Sequence, residues 1–309
     1  MLQCLRQGET MATRRTRRAG LLALGLTLLA ATLAAASPGA AARPRASGPV
    51  DVLYAGSLLD LMQRSIGPAF HRATGDTLAG FADGSSALAS EIRGGTQVAD
   101  VFISAAPSVN DTLAGTAHGD WLSSYTVFGA SPLVLAYNRS SRFARALRTT
   151  PWYDVVTRPG FLLGRTDPAT DPKGVLAVDA LEGVALSYDR PGLRALATSP
   201  SSVFPETALV GELQAGQLDA GFFYAVEAAA AHLATVPLVG TGLAGDYTVA
   251  LVNRAPHPGP ARAFIRFLLS GEGRRLLARN GVTPLARPRR VALSGAASPT
   301  TTGGPTTAP

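Results

Sequence analysis

The chain has 309 residues, 46% of them hydrophobic and 16% charged. That is enough apolar material to bury a sizeable core, and it excludes a wholly disordered chain. The formal net charge is +7, but five Arg and one Glu fall in the first 42 residues, and the remaining +3 is too small for a surface that tracks nucleic-acid phosphates.

The chain begins with Arg14, Arg15, Arg17 and Arg18 ahead of an apolar run at residues 19–36, followed by small residues and Pro38. This is the layout of a secretory signal, so residues 1–42 are expected to be a signal peptide cut after Ala36 or Ala42, placing the protein outside the cytoplasm. The paired arginines permit export by a twin-arginine route, and a retained single-span anchor is the alternative for a run of this length. Cys4, the only cysteine, precedes the run, so a processed chain has no disulfide, thiolate metal site or lipid-bearing cysteine.

A polar linker at residues 43–49 leads to strands expected at 50–54, 77–82 and 99–104, which alternate with helices at 58–73 and 86–93. This βαβαβ rhythm predicts a parallel sheet with helices on both faces. Leu133-Val134-Leu135-Ala136-Tyr137 predicts a buried strand, and a second block of alternation follows at 161–165, 174–181, 206–215 and 220–224. A strand at 247–253 and one long helix at 260–280 close the pattern. The changes of rhythm predict two α/β lobes crossed twice by the chain: lobe 1 from residues 50–131 and 246–290, lobe 2 from 132–245. Residues 291–309, rich in Thr, Pro, Gly and Ala, are expected to be a disordered tail.

Two segments repeat one arrangement of strand, glycine, serine and helix: Tyr54-Ala55-Gly56-Ser57-Leu58 and Phe81-Ala82-Asp83-Gly84-Ser85-Ser86-Ala87-Leu88. Glycine permits the tight turn, and a helix start presents unpaired N–H groups and a hydroxyl that suit an anion. Both loops would lie at the carboxyl ends of strands, where ligands settle in open α/β sheets. Ser57 and Ser85 are therefore candidate anion ligands, with plain helix capping as the other reading.

Several blocks together resemble the periplasmic molybdate-binding proteins of ABC transporters. They are Phe81 through Ile92, Ala99-Asp100-Val101-Phe102-Ile103-Ser104-Ala105, Gly164 through Gly174, Leu209 through Tyr224, and Phe264 through Gly273. The resemblance implies a two-lobe periplasmic-binding-protein fold of type II, with the ligand cleft between lobes joined by two crossovers. It also implies capture of molybdate or tungstate without catalysis or cofactor, and delivery by a monomer to a membrane permease. Asp171-Pro172-Lys173-Gly174 is similar to the Asp-Pro-Cys-Gly motif of the archaeal tungstate/molybdate branch, with Lys173 in place of cysteine. Pro205-Glu206-Thr207 resembles that branch's Pro-Lys-Glu motif, and Tyr224 matches its pocket tyrosine. The resemblance thus implies Asp171 and Glu206 as ligands to the metal atom of the oxyanion, beside Ser57, Ser85 and Tyr224. The residues themselves also permit plainer roles, Asp171 as an N-cap and Glu206 as a first-turn acid.

Arg165 and Lys173, near the Asp171 loop, could help anion capture electrostatically but are expected to be solvated loop charges, and His71, His118, His232 and His257 show no metal-ligand spacing. The competing functions are an exported phosphatase or sulfatase, for which no nucleophile elbow or metal cluster is evident, and a binding protein for sulfate, phosphate or a small organic acid.

Overall fold

The computed structural model describes residues 48–293. The expected signal peptide, most of the linker and residues 294–309 lie outside them. Among the described residues no helix is long and apolar enough to cross a membrane.

Strand β1 (Pro49–Ala55) pairs in parallel with β2 (Thr77–Asp83) and β3 (Val101–Ser104). Side chains alternate across a strand, so Val50, Val52 and Tyr54 enter one core cluster while Leu53 enters another with Leu88, Ile92 and Phe102. Helices cover both faces, as a parallel sheet requires. The helical run after β1 starts at Gly56–Leu58, passes through a π turn at Met62–Ile66 and ends at Gly67–Thr74, where Gly75 takes a left-handed φ of 78°.

Strand β4 (Ser124–Tyr137) ties the molecule together. Its first half pairs with β8 (Ala244–Leu251) and β9 (Thr283–Ala292), and its second half, from Leu133, pairs with β6 (Ala220–Tyr224) and β7 (Ala234–Pro237). Pro132, which has no N–H to donate, sits where the partners change. A bulge between Val127 and Gly129 bends the strand, and a Cβ at Gly129 would come within 2.8 Å of Val282. Strand β5 (Leu163–Gly164) adds in parallel to β6. In the strand order β2-β1-β3-β8-β4-β6-β5, β4 is the strand shared by the two sets.

Three expectations need correction. The linker ends before Pro49, which opens β1. The single helix expected at 260–280 is two, Pro258–Leu268 and Gly271–Arg279, because the Ser270 hydroxyl accepts from the Gly273 N–H at 3.2 Å and starts a new helix. The tail expected from residue 291 is corrected for its first three residues: Val291 and Ala292 pair with β4, and Leu293 is buried with its N–H donating to the Ser123 carbonyl. Strand pairing with β4 supplies an order that composition could not show.

Candidate functional site

The β1 and β2 registers set Ala55 opposite Asp83, so the two Gly-Ser loops leave the sheet side by side at its carboxyl edge. Ser57 is buried, and its hydroxyl lies 2.9 Å from the Tyr247 hydroxyl of β8. Ser85 is also buried; its Oγ accepts from the Ala105 N–H at 3.1 Å, which leaves the Ser85 hydroxyl proton to donate elsewhere. The helix it opens, Ser85–Gly94, has no side-chain cap. Its Ala87 N–H instead donates to the Thr170 carbonyl, 3.0 Å away in the loop before Asp171. One of the amides expected to face an anion is thus engaged by a carbonyl.

Asp171 caps the helix Pro172–Ser187, Oδ1 accepting from the Lys173 N–H at 3.2 Å, while Oδ2 is buried without a hydrogen-bond partner. Glu206 reaches the same place from the turn before the helix Leu209–Gln214, and Tyr224 from the end of β6. The Tyr224 hydroxyl is buried and unpartnered, and its ring meets that of Tyr247 edge-on at 6.0 Å. The site residues expected in this half of the chain therefore act on one another. Burial first, then the Glu206 carboxylate, holds the Asp171 carboxyl well above the usual aspartate range. Burial, then Asp171, pushes the Tyr224 hydroxyl above its ordinary range.

The expectation that Arg165 and Lys173 are solvated is overturned. Arg165 is buried and donates to the carbonyls of Thr166, Ala197 and Ser199, a structural tie between loops. Lys173 is wholly buried, with Nζ 2.6 Å from Glu206 Oε2 and 2.8 and 3.0 Å from the two oxygens of Glu227. Burial pulls its ammonium down, but Glu206, Glu227 and Asp171 outweigh that and hold it charged. Glu227 is pushed up to about 7, chiefly by burial and against the opposing pull of Lys173. Neither Glu227 nor Tyr247 was legible as a site residue. The one signal was that Lys173 is the only lysine among 28 basic residues.

The site is a buried polar cluster of Ser, Tyr, Asp, Glu and Lys between the β1/β2 loops and the Pro172–Ser187 helix. Glycine makes the close approach possible on each side. A Cβ at Gly56 would lie 2.5 Å from Glu206 Cγ, and one at Gly84 would strike the Thr170 carbonyl oxygen. Because that oxygen is backbone and cannot swing away, Gly84→Ala is expected to cost about 1–3 kcal/mol, as overpacking does. Urea denaturation reads this, and a loss below about 0.5 kcal/mol would show that the loops part freely.

One histidine has partners that spacing did not reveal. His257 Nδ1 lies 2.9 Å from Asp100 and 3.6 Å from Asp51, at the opposite ends of β1 and β3 from the cluster. Asp100 also accepts from the backbone N–H groups of Asp51 and His257, so this trio ties strands to the following helix.

Residues 50–283 match the family described as bacterial extracellular solute-binding protein. A protein of Haloferax volcanii, assigned by name to molybdenum binding in an ABC transporter, is 32% identical over 217 residues, 70% of this chain and 67% of its own. The molybdate/tungstate-binding protein of Thermococcus kodakarensis is 23% identical over 208 residues, 50% of this chain and 59% of its own. Among solved structures, the periplasmic molybdate-binding protein of Azotobacter vinelandii aligns over 77% of this chain and all of its own, with a TM-score of 0.61 and 17% identity.

Proposed function

We propose that this chain, which belongs to the bacterial extracellular solute-binding protein family, captures molybdate or tungstate outside the cytoplasm and hands it to the permease of an ABC transporter. In this reading residues 50–131 with 246–290 form one lobe and 132–245 the other. Ser57 and Ser85 bind from the first, Asp171, Glu206 and Tyr224 from the second, and closure rather than catalysis is the functional event.

One observation carries the choice of ligand: Asp171 Oδ2 and Tyr224 Oη are buried without a hydrogen-bond partner beside Glu206, whose Oε2 meets the Lys173 ammonium. Orphaned buried oxygens are rare and costly, and a cluster of them marks a place built to engage something else. A carboxylate facing a dianion is repelled unless it binds the central atom as an additional ligand. Molybdenum and tungsten can take extra ligands in this way; sulfur and phosphorus do not.

The same oxygens favour a second reading. A buried carboxylate can accept the proton of a hydrogen-bearing oxyanion such as hydrogen phosphate, which fully deprotonated sulfate cannot offer.

A thermal-shift panel separates the readings, because a ligand that binds only the folded state at a hundred times its Kd stabilises by about 2.7 kcal/mol. Molybdate and tungstate are expected to raise the Tm by several degrees while sulfate and phosphate do not. Stabilisation by phosphate alone transfers the assignment to the second reading.

A further inference from the structure

Lys173, in the first turn of the Pro172–Ser187 helix, has a place in this site that the likeness to molybdate binders does not assign. An ammonium offers three N–H donors. Two bonds run to Glu227, at 2.8 and 3.0 Å, and Glu206 Oε2 lies nearer still at 2.6 Å, while Glu206 Oε1 faces Gly56, where a Cβ would lie 2.9 Å from it. Glu227 therefore commits both oxygens to the lysine, whereas Glu206 pairs through Oε2 and turns Oε1 toward Gly56. A cleft of about 510 Å³ is lined by Gly56, Ser57, Glu206 and Glu227; Ser85, Asp171, Lys173 and Tyr224 lie outside its lining.

The identity of the cation matters. Every other basic residue in this chain is arginine. A guanidinium fork tends to grip both oxygens of a carboxylate, whereas an ammonium is a compact point charge. A lysine here can offset Glu206 through Oε2 without occupying Oε1. Glu227, three residues after Tyr224 and inside the helix Ala225–Ala230, holds that point charge in place.

We propose that Lys173, anchored by Glu227, is a positioning residue that determines specificity in this pocket: its charge allows the Glu206 carboxylate to face an oxyanion whose central atom accepts another ligand. This rests on the oxyanion reading above. Lys173 acts through Glu206, so the two residues are energetically coupled toward molybdate and tungstate and uncoupled toward sulfate.

The test is calorimetric titration of molybdate, tungstate and sulfate into the wild type, Glu206→Gln, Lys173→Met/Glu227→Gln and the triple variant. The double variant removes Lys173 and the carboxylate bonded to it, leaves Glu206 as the one carboxylate without its cation, and is checked for a cooperative melt. It is expected to bind molybdate and tungstate at least tenfold more weakly than the wild type. Adding Glu206→Gln to it is expected to cost several-fold less than the same change in the wild type. Wild-type affinity in the double variant overturns the proposal, and so does strict additivity. If the double variant does not fold, Glu227→Gln alone decides: a tenfold loss for molybdate with sulfate unchanged supports the proposal, and unchanged molybdate affinity overturns it. A wild type that binds none of the three anions overturns the oxyanion reading and this proposal with it.

Discussion

Lys173→Met is expected to destabilise the protein by about 3–5 kcal/mol, the usual cost of removing one partner from a buried ion pair. The side chain is fully buried, and its charge is the only cation within hydrogen-bond distance of Glu206 and Glu227 among the described residues. Methionine fills much the same volume, so the loss reports on charge rather than on a cavity. Without the ammonium, two carboxylates face each other in a site that admits little water, and one must take up a proton or swing out. Adding Glu227→Gln is expected to recover part of the loss, because it removes one of the stranded charges. Urea denaturation at neutral pH measures both steps. A cost below about 1 kcal/mol for Lys173→Met would place the lysine in water, against its burial.

The second large effect is on binding. Glu206→Gln is expected to weaken molybdate and tungstate by about a hundredfold, or ~2.7 kcal/mol, since a neutral amide oxygen is a much poorer ligand to a high-valent metal than a carboxylate. Asp171→Asn is expected to act in the same direction but less, because Asp171 Oδ1 is committed to capping the Pro172–Ser187 helix and only Oδ2 is uncommitted. Sulfate is the control. It takes no further ligand, so removing a nearby negative charge should leave its weak binding unchanged or improve it. Undiminished tungstate affinity in both variants, measured by calorimetry, would leave Ser57, Ser85 and Tyr224 as the ligand set and remove the carboxylates from it.

How far the site was legible depended on how local each signal is. Ser57 and Ser85 were candidates because a strand, a glycine and a helix start are consecutive in the chain, and the β1–β2 register brings the two loops together. Asp171 and Glu206 stood out only through motif resemblance, since an acid before Pro172 or in a first turn has ordinary capping roles. The capping role is the one the structure shows for Asp171, through Oδ1, while Oδ2 has no partner. The long helix expected at 260–280 failed for the same reason in reverse. Its apolar spacing continues through Ser270, and only the capping bond to Gly273 shows that the chain turns there.

By itself the sequence determined the α/β rhythm, the apolar faces of β1 and β3, the paired Gly-Ser loops and the separation of the basic N-terminal segment from the rest. All of these follow from spacing, hydrophobic period or composition, which are properties of neighbours along the chain. Tertiary structure alone decided the environment of Lys173. The lysine is 33 residues from Glu206 and 54 from Glu227, and no local pattern announces that the Pro172–Ser187 helix will deliver its first turn beneath both. Burial and charge pairing are set by which surfaces meet once the sheet has formed. A residue that reads as a solvated loop charge thus became the electrostatic centre of the site.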